Sequence, residues 1–190
     1  MSPDAQYLEK AKDLGNYLLD HFWDESQSSF FMTADNHEQL IIRPKSNYDL
    51  SMPSGNSVAA YLLLRLYHLT QEQKFLETAT KVMKSQAMMA AENPFGFGYL
   101  LNTIYMYLQK PTEITILNSN NDAMTNYLFE EFLPESIIVA IANKSQLEKL
   151  SELMFFAGKE FPHDKTTVFI CKDFSCSLPL EKIPDVEKLL

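Results

Sequence analysis

A run rich in polar and turn-forming residues, Asp49-Leu50-Ser51-Met52-Pro53-Ser54-Gly55-Asn56-Ser57, leads straight into residues 58–69, which are apolar on nearly every side of a helix. A helix of that kind must be surrounded, so its N-terminus lies inside the fold, with backbone N–H groups and the positive end of the dipole turned toward whatever sits there. Two readings follow. In the structural one, Pro53 stiffens the chain, Ser54 or Asn56 caps the helix, Gly55 lets two backbones approach and Asp49 offsets the dipole. In the binding one, Asp49, Ser54, Asn56 and Ser57 line a cavity, with a charge from Arg43 and aromatic faces from Tyr48 and Trp23 on which a sugar ring would stack. Carbohydrate chemistry needs two carboxyl groups about 5–10 Å apart, one of them with a raised pKa. Asp49 is the one placed by its spacing; Asp24, Glu25 and Asp35 are the candidates for the second.

Cys171 and Cys176 are the two cysteines of the chain. They read either as reduced thiols, with Cys171 packed on a strand, or as a redox pair or half of a metal site to which His163 and Asp164 would have to be brought by folding. No histidine pair has metal-binding spacing, so no metal and no cofactor is expected. A serine nucleophile is unsupported as well, because Pro-Ser-Gly-Asn-Ser lacks the strand-turn-helix setting such a serine requires.

The elements that must hold these residues are helical up to about residue 110. Residues 3–21 form an amphipathic helix with Ser2 as cap, Pro3 at its first position and a stripe of Tyr7, Ala11, Leu14, Leu18 and Phe22. Residues 29–33 and 39–43 read as a β-hairpin insert around a polar tip, with Phe30, Phe31, Ile41 and Ile42 covering a neighbour. Residues 54–69 are the all-apolar helix. Thr70 and Gln73 make a capping box for a third, one-faced helix to about residue 91, and Asn93-Pro94 opens a fourth that is again apolar all round. The order is outer, inner, outer, inner. Beyond Pro111 the period changes to short β-branched runs at 113–118, 136–142 and 166–171 with helices between, which reads as a three-stranded parallel βαβαβ unit. Residues 118–122 sit at the end of its first strand, where ligands collect in such sheets, but they lack the glycines of a phosphate loop and fit a helix cap better.

Composition limits the partners. A net charge of −9, with 16 Lys and Arg spread thinly, argues against nucleic acid and anionic membranes, both of which need clustered cations. Met1-Ser2-Pro3-Asp4 carries neither a basic nor an apolar targeting stretch, and a cytoplasmic location is expected.

The Asp49 and Pro53-Ser54-Gly55-Asn56-Ser57 segment, the apolar helix behind it, Pro111 with its short strand, and the ending Cys-Lys-Asp-Phe-Ser-Cys-Ser-Leu-Pro resemble the C-terminal part of the YyaL and spermatogenesis-associated thioredoxin-domain family. The resemblance covers nearly the whole chain. It implies an (α/α)₆ toroid similar to six-hairpin glycosidases and sugar epimerases, in proteins several times longer that begin with a thioredoxin-like domain and whose activity is not settled. The expected fold is therefore α+β, mainly α: a partial toroid of antiparallel helical hairpins over residues 1–110, then a small α/β unit over residues 111–190. Two hairpins are about a third of such a ring, so the inner helices would expose apolar flanks. The expected partner is a second copy or a second polypeptide completing the ring, with a small carbohydrate as ligand. The expected role is a catalytically incomplete portion that acts through association. The alternatives are a sugar epimerase or glycosidase relative with its cavity near Asp49 and Asn56, and a thiol redox accessory using Cys171 and Cys176.

Overall fold

The computed structural model describes residues 5–38, 41–120, 122–173 and 175–190. It is an α+β mixture in which helices predominate. The chain divides into two compact units, residues 9–108 and residues 109–190, the second also taking in the described residues up to Leu8.

In the helical unit, α1 (Ala5–Phe22) is followed by two short strands, β1 (Trp23–Asp24) and β2 (Ser29–Phe30), then by α2 (Gly55–Thr70), α3 (Gln73–Glu92) and α4 (Gly98–Gln109). The proposed caps of α1, Ser2 and Pro3, lie outside the described residues. Of the expected stripe, Ala11, Leu18 and Phe22 are partly buried, whereas Tyr7 and Leu14 are exposed, at 64% and 66%. Gly15 faces inward, where a Cβ would stand 2.7 Å from Leu66 Cδ1 and 3.4 Å from Phe75 Cε1. Gly15 shares the face of Ala11, Leu18 and Phe22, and its missing side chain allows the close approach of α1 to α2 and α3.

The β-hairpin lies earlier than residues 29–43. Trp23 pairs with Phe30 and Asp24 with Ser29, antiparallel. Asp24 Oδ1 accepts from both the backbone N–H (2.9 Å) and the hydroxyl (2.6 Å) of Ser26, an Asx turn that reverses the chain at once. Gln39 and Leu40, part of the expected second strand, lie outside the described residues. Ile41 and Ile42 are exposed and cover nothing.

α2 buries Ala59, Ala60, Leu63, Leu64 and Leu66, and α3 buries Phe75, Ala79, Val82, Met83, Gln86 and Ala90, the single stripe its period predicts. Thr70 does not cap α3. Its hydroxyl donates to Leu66 O (2.7 Å), and the N-cap position belongs to Glu72, whose side chain pairs with Lys12 and Lys74 at 3.1 Å each. Pro94 opens a 3-10 turn (Pro94–Gly96) rather than α4, which begins four residues later.

In the second unit, β3 (Thr112–Leu117), α5 (Ala123–Glu130) and β4 (Ser136–Ile141) form a βαβ unit with parallel strands. Then α6 (Lys144–Leu150) leads to β5 (Thr167–Lys172), β6 (Ser175–Cys176) and α7 (Ile183–Glu187), and the sheet order is β4-β3-β5-β6. The all-parallel expectation fails at β5, which runs antiparallel to β3 with Leu117 opposite Thr167. α6 has seven residues, and the chain continues through a 3-10 turn (Met154–Phe156) and irregular residues 157–166 that deliver β5 beside the finishing end of β3. A parallel pairing would need a crossover back to the starting end. Ile114, Ile116, Ala140, Val168 and Ile170 pack one face of the sheet against Met124, Leu128 and Val186. Among the described residues no helix is long and apolar enough to cross a membrane.

Candidate functional site

The polar run before α2 is a junction of backbone ends. Asp49 is buried, and its carboxylate accepts three backbone N–H groups: Ser54 at 2.8 Å on Oδ1, and Tyr99 and Leu100 at 2.9 and 3.1 Å on Oδ2. Its own N–H donates to Gly96 O at 2.7 Å. The first turn of α4 is therefore capped by a residue some fifty positions upstream, which supplies the acceptor that free helix-start N–H groups need and the negative charge that their dipole favours. Ser54 is the N-cap of α2: its Oγ accepts from Ser57 N (3.1 Å) and lies 2.9 Å from Ser57 Oγ.

Asn56 is 1% exposed and ties the hairpin to α2. Its Oδ1 accepts from Phe30 N (2.6 Å), while Nδ2 is shared among Phe30 O (3.1 Å), Ser46 O (3.0 Å) and Asn47 Oδ1 (3.1 Å). Arg43 clamps the loop from the other side, donating through Nη2 to His21 O (2.9 Å) and Thr33 O (2.6 Å) with its guanidinium 4.1 Å over the Phe31 ring. Tyr48, half exposed, stacks at 5.1 Å on buried Phe97. Trp23 packs on Phe30 at 4.9 Å and donates to Glu25 at 2.6 Å.

The structure gathers Tyr48, Ser54 and Asn56 on one cleft of about 460 Å³ in the helical unit. Its other walls are mainly apolar and include Phe22, Phe30, Phe31, Met32, Leu50 and Met52. Four of the large apolar and aromatic lining residues are open to solvent: Met32 (60%), Tyr48 (48%), Leu50 (82%) and Met52 (75%). Leu50 and Met52, overlooked as candidates, carried a signal in the sequence, because two large apolar side chains interrupt an otherwise polar run.

The other carboxylates are engaged elsewhere. Asp24 pairs with Lys45, which together with Ser26 holds its carboxyl down at about 2. Glu25 is lowered by its bonds to Lys81 and Trp23, and Asp35 by its 2.7 Å contact with His21. Asp49 does not line the cleft and has its oxygens turned to backbone donors. Among the described residues no Asp or Glu lines the cleft.

In the second unit, Asp122 caps α5 by accepting from Thr125 N (2.9 Å) and also receives the Thr166 hydroxyl, so the cap expected in this segment is Asp122. Cys171 and Cys176 face each other across β5 and β6 and are joined as a disulfide rather than standing as free thiols. Among the described residues no cluster of His, Cys, Asp and Glu could hold a metal ion.

No protein-family model matches the chain. Along its whole length it is 23% identical to spermatogenesis-associated protein 20 of Rattus norvegicus and 22% identical to that of Homo sapiens, over 194 aligned residues in each case. The chain is a distant homologue of spermatogenesis-associated protein 20. An uncharacterized protein of Caenorhabditis elegans is 23% identical over 188 residues, 97% of this chain. The chain spans about a quarter of the length of these relatives.

Proposed function

We propose that this chain is a non-catalytic portion of a helical-hairpin assembly of the toroid type, working by association through the apolar cleft of its helical unit. The observation that carries this reading is the division of labour around α2: the buried polar residues Asp49, Ser54 and Asn56 are bonded to the chain's own backbone, while the apolar Met32, Leu50 and Met52 stand at the cleft open to solvent. Exposed apolar patches that a monomer does not need for its own core mark contact surfaces, and methionines suit a surface that must repack around a partner. The flanks of the inner helices add to it. Val58 on α2 and Leu108 on α4 are exposed, at 42% and 67%, so neither helix is fully wrapped by this chain. The covering surface is another set of hairpins, and in the purified chain it is a second copy.

The test is the double substitution Leu50→Asp with Met52→Asp. Both side chains are exposed, so the variant keeps the thermal midpoint of the parent while its self-association, measured by sedimentation, falls at least tenfold. Unchanged association would sink this reading. A second reading, a small carbohydrate held in the same cleft, is supported by the half-exposed ring of Tyr48; with no carboxylate among the described residues that line the cleft it is binding without bond cleavage. Saturable sugar binding lost in Tyr48→Ala would favour it.

A further inference from the structure

The disulfide in the second unit is built asymmetrically. Cys171 lies within the sheet on β5 at 2% exposure, whereas Cys176 on β6 is exposed at one side of a cleft of about 550 Å³. Phe161, Pro162, Phe169, Leu178 and Pro179 supply apolar walls to that cleft, and Lys159 lines it as well. Lys159 Nζ donates to Phe155 O at 2.5 Å and stands 3.8 Å from Cys176 Sγ. The remaining titratable residues of the cleft are Glu160, His163 and Glu181. The geometry points to a thiol–disulfide exchange site for low-molecular-weight thiols and disulfides, in which Cys176 is the attacking sulfur, Cys171 the resolving one and Lys159 the cation beside the reactive thiolate.

Three observations support it. The cleft has the size and mixed lining of a small-molecule pocket and gives access to one sulfur only. The cation is fixed by a backbone carbonyl instead of waving in solvent, and burial pushes its pKa below the ordinary lysine value although Glu113 pulls the other way. A desolvated ammonium is stabilised by an anion alongside, which is what a Cys176 thiolate provides. Finally, the two cysteines are five positions apart, so the cross-link closes a small loop and restrains the unfolded chain less than a long-range one would.

The step balances as follows. With the chain reduced, the Cys176 thiolate attacks one sulfur of a small disulfide RS–SR, forming Cys176–S–SR and releasing RS⁻, which takes up a proton. The Cys171 thiolate then attacks Cys176 Sγ, closing the Cys171–Cys176 bond and expelling the second RS⁻. Two electrons pass from the dithiol to the disulfide, which leaves as two thiols.

The experiment uses the full chain, reduced, with glutathione disulfide as probe. Two equivalents of glutathione are released per chain; Cys171→Ser accumulates a glutathione adduct on Cys176 by intact mass, and Cys176→Ser forms none. Lys159→Met, with helix content unchanged by circular dichroism, slows the first step about tenfold, and Lys159→Arg restores most of the rate. On the unsubstituted reduced chain, limiting iodoacetamide labels Cys176 at least ten times faster than Cys171, read by peptide mapping because Lys172 separates the two. Equal labelling of the two cysteines, no trapped adduct, or a rate indifferent to Lys159 overturns the proposal.

Discussion

Replacing Asp49 by Ala removes one side chain and strands three backbone N–H groups, those of Ser54, Tyr99 and Leu100, inside the helical unit. A hydrogen bond to a charged acceptor contributes about 1.5–3 kcal/mol, and a buried donor left unpaired costs about 1–3 kcal/mol. Water reaching the edge of a site that is 9% exposed recovers part of this, so the expected loss is about 3–6 kcal/mol. That is a large share of the roughly 5–15 kcal/mol by which a domain is stable. Asp49→Asn keeps one acceptor oxygen but turns an amide N–H toward donors, and should lose about 2–3 kcal/mol. Trp23, the single tryptophan, lies in the hairpin of this same unit and reports its unfolding by fluorescence in urea. A loss below about 0.5 kcal/mol for Asp49→Ala, the range of ordinary surface changes, would refute the capping role and return Asp49 to the list of groups held ready for a ligand.

Two further predictions concern the same unit. Asn56→Ala should lose about 2–4 kcal/mol by freeing the hairpin from α2, and Asn56→Asp should be no better, because a carboxylate would face the three oxygens that now share Nδ2; an Asp variant as stable as the parent would contradict the bridge. Because Lys45 and Ser26 hold the folded Asp24 at about 2, below its unfolded value of about 4, the stability it contributes is present above about pH 4 and is lost as pH falls toward 2. Asp24→Asn should flatten that part of the urea-midpoint profile, and parallel profiles for parent and variant would count against the pairing.

Much of the helical layout was legible because α2 and α3 carry strong and different periods, and local caps such as Ser54 and Asp122 announce themselves in a few residues. What escaped was non-local. The cap of α4 comes from Asp49, the close approach of α1 rests on the fit of Gly15 against Leu66, and the direction of β5 depends on where an irregular connection lets the chain return. Strands of two residues, as in β1 and β2, have no period to read. The candidate site was partly legible: the run before α2 stands out, but Asp49, Ser54 and Asn56 are bonded to the backbone, and Leu50 and Met52, isolated apolar residues in a polar run, belong to no period that would mark them as exposed.

The most direct test of the association account is sedimentation equilibrium of the unmodified chain over a wide concentration range. It predicts a mass that rises with concentration above the 21.9 kDa of one chain toward that of a dimer. A single species of 21.9 kDa at every concentration, with no sign of aggregation, would contradict it.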